Sequence, residues 1–175
     1  MLISRIVAST LITAALAGAQ SKPKQEWGTG WTGEFNFTAD EAITLAEKVP
    51  ADKYSWRPAE GVRSISEVYV HIAIAHYYFL SLSGVKIDPS KMSRDAEKKI
   101  TSKADVVKFL KESIAAVKEN YPKLDMAKKA HMGDADTNVE GIMIHLIAHT
   151  SEHVGQSIAY ARMNGIVPPW SEPAK

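Results

Sequence analysis

One seam constrains this chain more than any other feature. Between Val139 and Met163, the positions Val139, Ile142, Leu146, His149, His153, Gln156, Tyr160 and Met163 recur at alternating spacings of three and four. That repeat places all of them on one face of a helix. The spacing predicts a helix from about Val139 to Asn164. Gly165 sits where a C-terminal cap needs a left-handed residue, and Pro168-Pro169 prevent continuation. A helix this long with one apolar stripe needs other helices to cover it.

Three more such stretches are present. A Ser or Thr followed three residues later by an acid marks a helix start, because the hydroxyl and the acid satisfy free backbone N–H groups reciprocally. The pattern occurs at Thr38…Glu41, Ser64…Glu67, Ser102…Asp105 and Thr137…Glu140. The second helix is predicted from about Ile65 to Leu82, with the stripe Ile65, Val68, Ile72, Ala75 and Phe79. The third is predicted from about Lys103 to Asn120, with Val106, Leu110, Ile114 and Val117 inward. In the first, Trp27, Trp31, Phe35, Ala42, Leu45 and Val49 extend the stripe upstream of Thr38, so we place it from Thr32 to Val49. No segment alternates convincingly. The expected fold is all-α, a four-helix bundle over residues 32–170 with a C-terminal tail at 171–175. Residues 50–63, 85–101 and 121–136 read as connections.

The N-terminus reads differently. Arg5, an uncharged run from Ile6 to Leu16 and the small-x-small triplet Ala17-Gly18-Ala19 have the layout of a secretory signal, with cleavage expected after Ala19. A membrane anchor is the alternative, but a spanning helix needs about 20 apolar residues and this run is shorter. Residues 20–31 then form a polar tail. The expected location is periplasmic or secreted, with no stable membrane span after cleavage.

Composition narrows the chemistry. The chain has no cysteine, so disulfides, thiolate metal sites and nucleophilic thiols are excluded. A net charge of +1 argues against a nucleic-acid partner. Any metal must be held by the six histidines and by carboxylates.

The seam's centre is where those histidines gather. His149, His153 and Gln156 interrupt it, and buried polar groups cost free energy unless something satisfies them. His149 and His153 are one turn apart on one face, a spacing that can bring two imidazoles to one ion. His71, beside Ile72 of the second stripe, is the candidate third ligand. Three neutral histidines make an open site. The motif His149-Thr150-Ser151-Glu152-His153 has Thr150 where a zincin needs its glutamate, which disfavours a peptidase. His145 is either a partner orienting a ligand ring or a flanking surface residue. His76 is turned away from His71 and is a candidate for a pocket mouth. His131 lies in a connection. Ser151 and Ser157 show no His–Asp relay. Met143, Ile144 and Ile147 fall off the seam, which motivates a homodimer.

These residues resemble a known family. The stretch Tyr54-Ser55-Trp56-Arg57-Pro58-Ala59-Glu60-Gly61-Val62-Arg63-Ser64 with His71 resembles the first half of the DinB-like (YfiT-like) metal-binding proteins. His149 to Gln156, then Tyr160-Ala161-Arg162 and Asn164-Gly165-Ile166-Val167-Pro168-Pro169, resembles their last helix. The resemblance implies an up-down-down-up bundle, often dimeric. It also implies a divalent metal, zinc or nickel, on His71, His149 and His153. Ala161, His76 and the export signal depart from common members. The resemblance further implies a metal-dependent hydrolase or a thiol S-transferase acting on a small molecule. A non-catalytic metal- or ligand-binding module is the competing reading. Gln156 is a candidate for orienting bound water or substrate, and Glu67 and Glu152 are the candidates for a general base.

Overall fold

The structure is a computed structural model that describes residues 29–172; the expected signal and most of the expected N-terminal tail lie outside them. Four long helices carry it: α1 (Gly30–Lys48), α2 (Ile65–Leu82), α4 (Lys103–Asn120) and α5 (Val139–Met163). A single turn, α3 (Ala96–Lys99), interrupts the connection before α4, and a hairpin of β1 (Lys129–Met132) and β2 (Ala135–Asn138) precedes α5. The all-α bundle is therefore as expected. α2 packs against α4 and α5, and α1 packs against the same two. α1 and α2 meet across the middle, where Phe35 lies edge-on to His76 with centroids 5.6 Å apart.

Two of the four cap readings hold. Ser64 and Glu67 form the full reciprocal capping box, and Ser102 accepts from the Asp105 N–H. Thr38 is not a cap. It is buried in mid-helix, and its hydroxyl lies 3.3 Å from that of Ser151 on α5. Helix α1 starts at Gly30, two residues before the expected Thr32, and takes in the end of the expected tail. The Trp31 indole N–H donates to the Met143 carbonyl at 2.8 Å and Phe35 is buried, so packing outweighs the glycine penalty upstream. At its other end, Lys103 Nζ donates to the carbonyls of Glu47 and Val49, satisfying the last turn.

The fourth cap is displaced by one residue. Asn138, not Thr137, accepts from the Gly141 N–H at 2.8 Å. Asn138 also ends β2, so the hairpin feeds directly into α5. The connection at residues 121–136 contains a hairpin that the sequence does not announce: β1 and β2 pair antiparallel through Gly133-Asp134, with Gly133 at φ +61°. Only a glycine-like residue takes that conformation without strain in a two-residue hairpin turn.

Helix α2 departs most from its expected single stripe. Ser66, Val70, Ala73 and Ile74 are buried as well as the stripe, so α2 is the central helix, covered from several sides. Among the described residues, no helix is long and apolar enough to cross a membrane.

Candidate metal centre

His149 and His153 project from α5 and His71 projects from α2. Their ring centroids lie 5.1, 4.8 and 4.5 Å apart pairwise. One nitrogen from each falls within 4.8 Å of the others. The Nε2 atoms of His71 and His149 are 3.2 Å apart. Tetrahedral imidazole ligands at metal–nitrogen distances near 2.05 Å stand about 3.3 Å from each other. The sequence-predicted triad is thus brought together from two helices.

Partners behind two rings fix their tautomers. His71 Nδ1 lies 2.9 Å from Glu97 Oε1, and a carboxylate can only accept, so Nδ1 carries the proton and Nε2 keeps its lone pair. His153 Nδ1 lies 2.8 Å from Gln156 Oε1, and the Gln156 amide in turn donates to the Tyr160 hydroxyl at 2.8 Å. Gln156 therefore orients a ring instead of reaching into the site. Trp56, from the Trp-Arg-Pro stretch, packs edge-on against Tyr160 at 5.4 Å and completes that chain. His149 lacks such a partner: its Nδ1 is buried without a hydrogen bond. Phe79 stands edge-on to it at 5.6 Å.

Burial, followed by the Arg63 charge, lowers the His71 pKa below the usual imidazole value, against the opposing hydrogen bond to Glu97. Burial, then the neighbouring His153 and His71, holds His149 down to about 4. Near pH 7 both rings are therefore neutral, the state a ligand needs. The Nδ1 protons of His71 and His153 face away from the cluster, and the basicity of His71 and His149 is depressed; both features fit a divalent ion, so His71, His149 and His153 could hold one.

The other candidates sit elsewhere. Glu67 has both oxygens engaged, Oε2 by the Ser64 N–H and Oε1 by Arg57 and Lys98. Burial raises its pKa, but these partners outweigh it and bring it to about 2, so it is a clamp and not a base. Glu152 is exposed on α5. His145 is exposed too, its ring edge-on to Phe79 at 5.3 Å and hydrogen-bonded to none of the triad. His76 does not line a pocket mouth. It is 1% exposed, with Nδ1 at 2.9 Å from the Ser113 hydroxyl and Nε2 at 3.1 Å from that of Thr150, so it ties α2 to both α4 and α5. His131 lies on β1, 2.8 Å from Asp136.

Glu97 and Arg63 escaped the sequence reading. Glu97 is buried at 8% exposure, and the Arg63 guanidinium holds it through Nε at 2.8 Å and Nη2 at 3.3 Å. Glu97 sits in the charged run Arg94 to Lys99, which reads as a solvated face; nothing local shows that α3 folds back onto α2.

A cleft of about 440 Å³ opens on a different face of α5. It is lined by Trp31, Tyr121, Met126, Met143 and Ile147 among others, and by none of the triad. Met143 is fully buried within the chain, whereas Ile144 at the cleft rim is 59% exposed.

The model of the DinB family matches residues 32–174. The solved structure of a DinB-like protein from Bacillus cereus ATCC 10987 is similar, at 17% identity and a TM-score of 0.68, over 80% of this chain and 94% of that one. No curated protein matches the sequence.

Proposed function

The chain belongs to the DinB family, and from that premise we propose that it is an exported metalloprotein. In this reading His71, His149 and His153 hold a divalent ion, zinc or nickel, and the site performs hydrolysis or thiol S-transfer on a small molecule. The observation that carries it is the meeting of His71 and His149 nitrogens at 3.2 Å, with the His71 proton held on Nδ1 by its hydrogen bond to Glu97. When bound, a divalent ion at such a site supplies Lewis-acid chemistry that makes water or a thiol nucleophilic near neutral pH.

The chain's own residues do the rest. Glu97 and Gln156 fix the His71 and His153 rings so that little ordering is left to occur on loading. All three ligands are neutral imidazoles, a set that leaves coordination positions open. Phe79 covers the His149 flank with an apolar edge.

One observation favours the second reading, a binding module without turnover. Among the described residues, Glu97 is the carboxylate hydrogen-bonded to the triad, and it meets His71 on the side away from the other rings. The two readings separate in one assay. Metal-loaded protein is offered panels of esters, amides and thiol acceptors beside His149→Ala. Turnover lost in that variant supports the enzyme; metal binding without turnover supports the module. N-terminal sequencing of protein recovered outside the cytoplasm tests export, with Gln20 the expected first residue.

A further inference from the structure

We propose that the cleft between α1 and α5 binds a small organic cation, an aryl or alkyl group carrying a protonated amine. The inference does not rest on the metal reading, because none of the triad lines this cleft. Trp31 and Glu34, three residues apart on α1, line one side. Glu140, Met143 and Ile147, at spacings of three and four on α5, line another. Tyr121 and Met126, from the connection after α4, complete the lining. The volume of about 440 Å³ falls in the range of small-molecule sites, roughly 300 to 1,000 Å³.

The aromatic wall is fixed before anything binds. Trp31 stacks on Tyr121 with ring centroids 3.7 Å apart, and its indole N–H donates to the Met143 carbonyl at 2.8 Å. A preformed wall leaves little ordering to be done on binding.

Charge names the occupant. Glu34 and Glu140 line the cleft, and no Lys, Arg or His does. Elsewhere on the helices Glu47 and Glu119 each pair with a lysine. Neither cleft carboxylate has an ion pair or a side-chain hydrogen bond among the described residues. Glu140 lies in the first turn of α5, where a negative charge suits the helix dipole. Glu34 has no such role. It lies beyond the first turn of α1 and is half-buried, and a carboxylate beside apolar side chains costs free energy until a donor or a cation meets it.

An ammonium group meets that carboxylate with charge-assisted hydrogen bonds, while its apolar body covers the methionines and rings. An anion would face two like charges, and a neutral apolar molecule would leave Glu34 unpaired. A second copy does no better. A two-fold interface presents the same patch from each partner, so the cleft of a copy adds two carboxylates and no cation. A copy resting on the exposed Ile144 rim leaves Glu34 unsatisfied.

The test uses the full chain with methyl-labelled methionine at neutral pH. It is titrated with phenethylamine, with the neutral phenethyl alcohol and with the anion phenylacetate. Calorimetry measures binding, the methyl shifts of Met126 and Met143 locate it, and light scattering records the mass in parallel. The expected result is saturable amine binding that moves those two methyls, alcohol binding about tenfold weaker, and no binding of phenylacetate. In Glu34→Gln, which keeps the shape of the side chain, the amine Kd rises about tenfold with circular dichroism unchanged. Absence of amine binding, equal affinity for amine and alcohol, an unchanged amine Kd in Glu34→Gln, or shifts confined to the other methionines overturns the proposal. Amine binding that disappears as the chain dimerises also overturns it, because a second copy then fills the cleft. If Glu34→Gln does not fold, the comparison of the three ligands on wild type decides.

Discussion

Glu97 reaches from a single helical turn to within 2.9 Å of His71 Nδ1, and the same oxygen lies 3.3 Å from Arg63 Nη2. One buried carboxylate thus sets the tautomer of a ligand on α2 and is itself held in place by the residue that precedes the α2 cap. It carries a proton preference from a loop into the site.

The first prediction concerns that carboxylate. Glu97→Ala removes the acceptor that keeps the His71 proton on Nδ1, so divalent-metal affinity falls by about 10- to 100-fold. Glu97→Gln retains an acceptor oxygen and loses less. Isothermal titration with zinc measures both, and circular dichroism checks that the bundle persists.

Acid acts on the fold through His76. Its imidazole is fully buried, and burial brings its pKa down to about 3 from an unfolded value of 6.5. Between those values the unfolded chain holds a proton that the folded chain refuses. This contribution to stability is therefore complete above pH 6.5 and is lost as pH falls towards 3. From pH 7 to pH 5 the loss amounts to about 2 kcal/mol. Urea unfolding at the two pH values measures it, and His76→Gln flattens that part of the profile at the cost of lower stability at pH 7.

Metal binding has its own pH window. With His149 held to about 4 by burial and its neighbouring imidazoles, its lone pair survives well below the usual histidine range. Affinity should fall more steeply as pH approaches 4, where His149 itself takes up a proton. Competition titration with a chromophoric chelator follows the curve.

Self-association is expected on the outer face of α5. Ile144 stands 59% exposed beside the apolar cleft of Trp31, Met126 and Ile147. Light scattering at high micromolar concentration should give the mass of a dimer for wild type and of a monomer for Ile144→Glu. A monomeric wild type removes the proposal.

Much of this architecture could be read from residue order, and the places where it could not share physical causes. The long helices announced themselves because each carries an apolar stripe over four or more turns. Thr38 misled because a Thr with an acid three residues on is common, while the packing of Trp31 and Phe35 that decides the matter is tertiary. The hairpin carried its signal in Gly133-Asp134, yet strands of four residues are too short for alternation to show. His76 was correctly placed off the His71 face. Its fate followed from α2 being central, so that turning away from one neighbour meant turning into others. The triad was legible because its seam should have been apolar. Glu97 was not, since its role depends on where a short turn folds back.

In the proposed reading, three histidines from two helices form one metal site. Elemental analysis of purified wild type beside the triple variant His71→Ala, His149→Ala, His153→Ala tests it most directly. The expected result is near-stoichiometric divalent metal in wild type and none in the variant, with helical content retained in both. Wild-type protein without metal after incubation with zinc or nickel, or the same metal content in both proteins, would contradict it.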